Sequence, residues 1–191
     1  MSFKGDLAID TEAMGLNNKR DRLCLVQLSD GGGNAHLVQF EKGQYKASNL
    51  IKLLSDPGRL KIFHFARFDL AVIREYLGVR AAPIYCTRTA SRLARTYTDK
   101  HGYKDICKEL LGVDISKQQQ TSDWGAASLS KEQIDYAASD VLHLHKLKEK
   151  LDEMIAREGR QELLAAACGF LPYRAELDLA GWADQDIFAH S

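Results

Sequence analysis

Residues 7–16 read LAIDTEAMGL, and the fold is decided in this stretch. An apolar run predicts a strand over 7–10. Side chains two apart on an extended chain share a face, so Asp10 and Glu12 point the same way. Two further stretches have the same character: IFHFARFDL (62–70), which carries Asp69, and IDYAASDVLHL (134–144), which carries Tyr136 and Asp140. Each carboxylate sits at the edge of an apolar run that buries its neighbours and fixes its position. Tyr136 and Asp140 are four apart on a predicted helix and share one face. Four acids gathered together repel one another unless cations neutralise them, and hard oxygen ligands suit Mg²⁺ or Mn²⁺. Two such ions about 3.5–4 Å apart are a common device for cutting phosphodiesters. The chain therefore reads as a metal-dependent nuclease.

Working outward, alternation and turn residues predict strands at 7–10, 23–28 and 35–39, with SDGGGN (29–34) as the tight connection between the last two. A helix is expected over 48–54, a short buried strand over 61–64 and a helix over 68–77 with Gly78 as its C-cap. Helical periods follow at 87–97, 103–111 and 130 to about 157, the last opened by the capping-box pair Ser130 and Gln133. Strands early and helices later define a mixed α/β domain.

The chain has 191 residues, 45% hydrophobic and 27% charged, which fits one globular domain. We expect a core over about 5–157 and a C-terminal helix and tail over about 158–191. No apolar run approaches the 18 or so residues of a membrane span, so no membrane partner is expected. The N-terminus lacks the apolar core of a signal peptide. Cys24, Cys86, Cys107 and Cys168 show no C-x-x-C spacing, and Cys24 and Cys107 lie in apolar patterns, which points to a reducing cytoplasm. Lys plus Arg equals Asp plus Glu at 26 each. That neutrality argues against a large nucleic-acid footprint, because such binding draws on many phosphate contacts.

The ordered set D-T-E, a single Asp, then Y-x-x-x-D resembles the DEDD exonuclease superfamily in its tyrosine-bearing branch. It is most similar to ribonuclease D. DTEAMGL followed by DRLCLVQLSDG matches that family's D-T-E…D-x-L-x-L-Q-L-S run, and His64 with Asp69 matches its H-A-x-x-x-D stretch. SDWGAASLSKEQIDYAASDV follows its D-W…L-S-x-x-Q-x-x-Y-A-A-x-D-V pattern. The superfamily's histidine branch carries its His five residues before the last Asp, and here that position is Asp135. The resemblance implies an RNase H-like fold, a mixed five-stranded sheet flanked by helices. Too few residues follow the last long helix for the helical RNA-binding domain that ribonuclease D usually carries. The chain is therefore most like the compact nano-RNase C subgroup, which implies very short RNA substrates and a homo-oligomer, an octamer.

On that resemblance Asp10, Glu12, Asp69, Tyr136 and Asp140 are the catalytic set. Asp10, Glu12 and Asp140 hold one ion, Asp10 and Asp69 hold the second, and Tyr136 orients the attacking water. Thr11, Met14, Gly15, Leu16 and His64 are expected at the substrate, with Leu16 wedged between terminal bases and Gly15 letting the backbone pass close to substrate. Lys100, His101, Tyr103 and Lys104, or the loop 117–120, could hold a terminal phosphate. No residue reads the 2′-hydroxyl in an identifiable way, so RNA is expected from the resemblance and DNA stays open.

Overall fold

The structure is a computed structural model and describes residues 3–116 and 118–190. Five strands form one sheet: β1 (Leu7–Ala13), β2 (Leu23–Ser29), β3 (His36–Gln39), β4 (Lys61–Phe63) and β5 (Ile84–Cys86). Their order is β3-β2-β1-β4-β5. β1 is antiparallel to β2 and parallel to β4; β2 and β3 are antiparallel, β4 and β5 parallel. This is the mixed five-stranded sheet flanked by helices that the resemblance implied.

β1 is the central strand and runs three residues beyond the expected 7–10. Leu7, Ala8 and Ile9 are fully buried. Only Leu7 and Ala8 pair with β4, whereas pairing with β2 continues to Ala13. The distal half of β1 thus has one strand neighbour, and the space beside it is open for side chains. Crevices past the carboxyl ends of strands are where α/β sheets commonly bind ligands.

The helices are α1 (Ser48–Ser55), α2 (Ala66–Leu77), α3 (Thr87–Ala94), α4 (Tyr103–Leu111), α5 (Lys131–Leu142), α6 (Leu144–Arg157) and α7 (Gln161–Leu177). α2 packs on β1, β2, β4 and β5, while α5 packs on β1, β2 and β3. The long helix expected over 130–157 is two helices. His143 leaves the helical ladder at φ −106°, ψ −6°, and α6 then packs against α3 and α4. The buried positions Gln133, Ala137, Val141, Leu144, Leu147, Leu151 and Ile155 keep one helical spacing across the joint, so periodicity cannot reveal it. The helix expected over 87–97 ends at Ala94, where the fully buried Arg95 turns in to bond Ser91 Oγ at 2.9 Å and the Lys100 carbonyl at 2.7 Å.

α7 buries Leu164, Cys168, Pro172 and Ala175 against α2 and β5. A short π-helical turn (Asp178–Trp182) follows, and Asp178 accepts hydrogen bonds of 2.6 and 2.8 Å from Arg67. Part of the tail therefore folds back on its own chain. Among the described residues no helix is long and apolar enough to cross a membrane.

Candidate active site

Three segments deliver the acids. Strand alternation puts Asp10 and Glu12 on one face of β1 and Thr11 on the other. Asp140 reaches the first face from α5, and oxygens of Asp10, Glu12 and Asp140 come within 4.8 Å of one another. Asp69 comes from the first turn of α2 and is 4% exposed. It stands outside that trio and accepts a 2.7 Å hydrogen bond from the Thr11 hydroxyl. Thr11, expected at the substrate, thus donates its hydroxyl to Asp69 while lining the same cavity. Gln27 faces Asp10 across the β1–β2 ladder and donates to its Oδ2 at 3.2 Å.

Local chemistry fixes where α5 begins and so where Tyr136 and Asp140 point. Gln133 N–H donates to Ser130 Oγ at 3.2 Å, and Ser130 N–H donates to Gln133 Oε1 at 2.9 Å, completing the capping box. Gln133 Nε2 also donates to the Asp123 carbonyl at 3.1 Å, which ties the neighbouring loop to the helix start. That loop carries Trp124, 2% exposed, whose ring packs 6.0 Å from the Tyr136 ring.

All ten residues expected at the site line one cavity of about 650 Å³. Leu16 is 87% exposed at its rim. A Cβ at Gly15 would lie 2.9 Å from Asp21 Cγ, so a larger residue there would have to displace the Asp21 side chain. Asp21 also accepts from Asn17 N–H at 3.0 Å and so organises the loop that presents Leu16. His64 pairs through Nδ1 with Thr87 Oγ1 at 2.9 Å. Tyr103, Lys104 and Gln120 also line the cavity; Lys117 lies outside the described residues. The reading of motifs missed Phe65, Phe68, Arg88 and Trp124 in the wall. Trp124 could have been found from its place in the quoted 122–141 run, but the others carry no signal at the level of spacing.

Burial and mutual repulsion raise the acids. For Asp10 burial acts first, then the charges of Asp69, Asp140 and Glu12. Glu12 is pushed up to about 9 by burial and by Asp140 and Asp69. Burial takes Asp69 to about 7 against the pull of the Thr11 bond, and takes Asp140 to about 7 against the Tyr136 phenol turned toward it. Burial and the nearby carboxylates raise Tyr136, so it stays a neutral phenol. Carboxylates forced together in a desolvated crevice are a site completed by cations. The donor set is all oxygen, which fits Mg²⁺ or Mn²⁺.

A family model described as 3′-5′ exonuclease matches residues 2–156. Ribonuclease D of Gluconacetobacter diazotrophicus is 36% identical over 160 residues, covering 84% of this chain and 40% of that protein. The chain spans about two fifths of the length of the curated relatives it matches. Among solved structures, Brucella melitensis NrnC with bound Mg²⁺ is 56% identical with a TM-score of 0.95, covering 99% of this chain and 92% of that one. Brucella melitensis NrnC bound to pGG is 57% identical with a TM-score of 0.96, covering 99% and 92%. Motif order, sheet topology and these likenesses agree, and the chain belongs to the 3′-5′ exonuclease family, as an NrnC-like member of its ribonuclease D line.

Proposed function

We propose that the protein is a divalent-metal-dependent 3′→5′ exoribonuclease that releases nucleoside 5′-monophosphates, with RNAs of two to a few nucleotides as preferred substrates. The observation that carries this reading is the meeting of Asp10, Glu12 and Asp140 within 4.8 Å, one helical turn from Tyr136. Asp10, Glu12 and Asp140 would hold one ion, and Asp10 with Asp69 a second. Bound there, two ions supply water activation and neutralise charge on the scissile phosphate and the leaving 3′ oxygen. Tyr136, a neutral phenol backed by Trp124, orients the attacking water by hydrogen bonding. Thr11 holds Asp69 and Gln27 holds Asp10, so two of the acids are aimed before any ion arrives. Leu16 and Met14 stand exposed at the rim to separate and seat the terminal bases.

Short substrates are favoured by formal neutrality and by the likeness to a protein known with pGG, a dinucleotide. The cytoplasm suits four free, buried cysteines. We take the protein as a homo-oligomer, an octamer in the form the resemblance implies. Leu163, Tyr173, Ile187 and Phe188 leave apolar surface exposed on the C-terminal segment.

The test is digestion of end-labelled RNAs of two to twenty nucleotides, with matched DNAs, at 50 and 200 mM salt. Stepwise release of 5′-monophosphates that stops with EDTA is expected, with the dinucleotide giving the highest kcat/KM and the weakest salt dependence. A dinucleotide has one internucleotide phosphate. An RNA held by six or more contacts should lose about a thousandfold in affinity over that salt range. A twenty-nucleotide RNA preferred at both salts replaces the short-RNA reading with a general ribonuclease D-like one, and equal cleavage of DNA removes the restriction to RNA.

A further inference from the structure

We propose that Phe65 is a stacking platform for one of the two nucleobases that flank the scissile phosphate, with Arg88 bracing its ring. This rests on the nuclease reading above and adds a substrate-positioning residue to it.

Phe65 caps the start of α2 at φ 63°, ψ 45°. Among the described residues it is the one non-glycine residue with positive φ. A bulky L-residue is strained there, whereas glycine would adopt the same backbone freely. Such strain persists only where the surrounding structure holds it, and it is not offset here by full burial of the side chain, since Phe65 is 46% exposed. Phe65 instead lines the carboxylate cavity and, together with Leu16 and Phe68, a second cavity of about 470 Å³ that shares these three residues with it.

The ring is held in place. The Arg88 guanidinium lies 4.8 Å from its centroid, projecting from the first turn of α3. The residue before Arg88, Thr87, bonds both His64 and the Phe63 carbonyl, so the backbone entering Phe65 is fixed to the same helix. A strained, exposed and braced aromatic at the mouth of an acidic cavity fits a flat π-surface. Every nucleobase offers one, which makes such stacking tolerant of base identity. Arg88 adds a positive charge beside the ring, where a phosphate adjoining the stacked base would lie. The H-A-x-x-x-D pattern has alanine where this chain carries Phe65. The platform therefore belongs to this chain rather than to the pattern.

The experiment uses the full chain and the variants Phe65→Leu, Phe65→Tyr and Phe65→Gly. Substrates are a dinucleotide and its two forms with one base replaced by an abasic ribose. Loss of one stacked base should cost about tenfold in affinity. Phe65→Leu should raise KM about tenfold with kcat nearly unchanged, and Phe65→Tyr should restore it. On one of the two abasic substrates wild type and Phe65→Leu should become equal. Phe65→Gly should bind as poorly as Phe65→Leu while melting at or above the wild-type temperature, because glycine relieves the strained φ. A KM within twofold of wild type in Phe65→Leu, or equal losses on both abasic substrates, overturns the proposal. So does a clear fall in the melting temperature of Phe65→Gly, which marks a structural ring. Binding is also read directly, with a 2-aminopurine dinucleotide whose methylene-phosphonate linkage keeps its charge and resists hydrolysis. Quenching in wild type that Phe65→Leu loses supports the stack, and unaltered quenching overturns it. If wild type fails to cleave any RNA, the nuclease reading fails while this binding arm still decides on Phe65.

Discussion

The Thr11 hydroxyl donates a 2.7 Å hydrogen bond to Asp69 Oδ1 across 58 residues of sequence, joining the strand that carries Asp10 and Glu12 to the helix that carries the remaining acid. Thr11→Val keeps the shape and removes the donor. A hydrogen bond to a charged group is worth about 1.5–3 kcal/mol. Mg²⁺ affinity, read by calorimetry, should therefore fall about tenfold or more, with kcat falling alongside and Thr11→Ser restoring both. An unchanged Mg²⁺ titration in Thr11→Val would mean that Asp69 needs no such orientation.

Asp10→Ala and Asp140→Ala should each keep less than about a tenth of wild-type turnover, since each strips a ligand from the metal site. Both should melt higher than wild type in EDTA, because removing one like charge relieves the others. The gain should be smaller for Asp10→Ala, which leaves the buried Gln27 amide without its acceptor. Thermal melts in EDTA decide this, and a lower melting temperature for Asp140→Ala would contradict the repulsion argument.

Tyr136→Phe should separate rate from binding. The ring keeps its packing on Trp124 and loses only the hydroxyl. We expect kcat to fall by about two orders of magnitude, the lower end of what positioned proton-handling groups contribute. Mg²⁺ and mononucleotide affinities should hold within twofold. Parallel losses of metal affinity and rate would assign Tyr136 to the metal site instead.

The raised carboxyl groups set a pH dependence with a definite sign. Asp69 and Asp140 sit near 7 against an ordinary 3.8, and Glu12 near 9 against 4.5. Between those values the folded chain holds protons that the unfolded chain releases, so metal-free stability falls as pH rises from about 4 toward 9. Asp140→Asn should flatten part of that slope. Cations compete with these protons, so the rise in melting temperature on adding Mg²⁺ should be larger at pH 8 than at pH 5. Melts in EDTA whose difference between wild type and Asp140→Asn is independent of pH would refute the linkage.

Self-association through the C-terminal segment is tested by light scattering at micromolar concentration. The Phe170 and Phe188 rings pack 5.9 Å apart on this surface, and Leu163 is 60% exposed on α7. Leu163→Glu with Phe188→Glu should shift the population toward monomer while leaving the circular dichroism spectrum intact. A wild-type monomer removes the oligomer from the proposal.

The parts of the fold that could be read in advance are those with strong local rules. Alternation placed β1, and the Ser130–Gln133 box fixed the start of α5 because its reciprocal bonds depend on three-residue spacing alone. β5 escaped because Ile84, Tyr85 and Cys86 are too few to show a period; the resemblance implied a fifth strand without locating it. The break at His143 escaped because the buried positions keep their spacing through it. Within the site, the order of the acids was legible, whereas the wall was not. Phe65 reaches the cavity through one unusual dihedral pair, and Arg88 through a helix whose register depends on a three-residue strand.

Asp10 and Asp140 meet only when β1 is zipped between β2 and β4 and α5 has docked on that sheet. Parallel pairing and contacts between distant residues form late in folding, since loop closure precedes any reward from them. On the ribosome, Asp10, Glu12 and Asp69 emerge well before α5. A nascent chain therefore has no assembled carboxylate trio while most of its message is still being read. Because α5 is the last of the three acid-bearing segments in the chain, the carboxylate trio stays unassembled until that helix has left the tunnel.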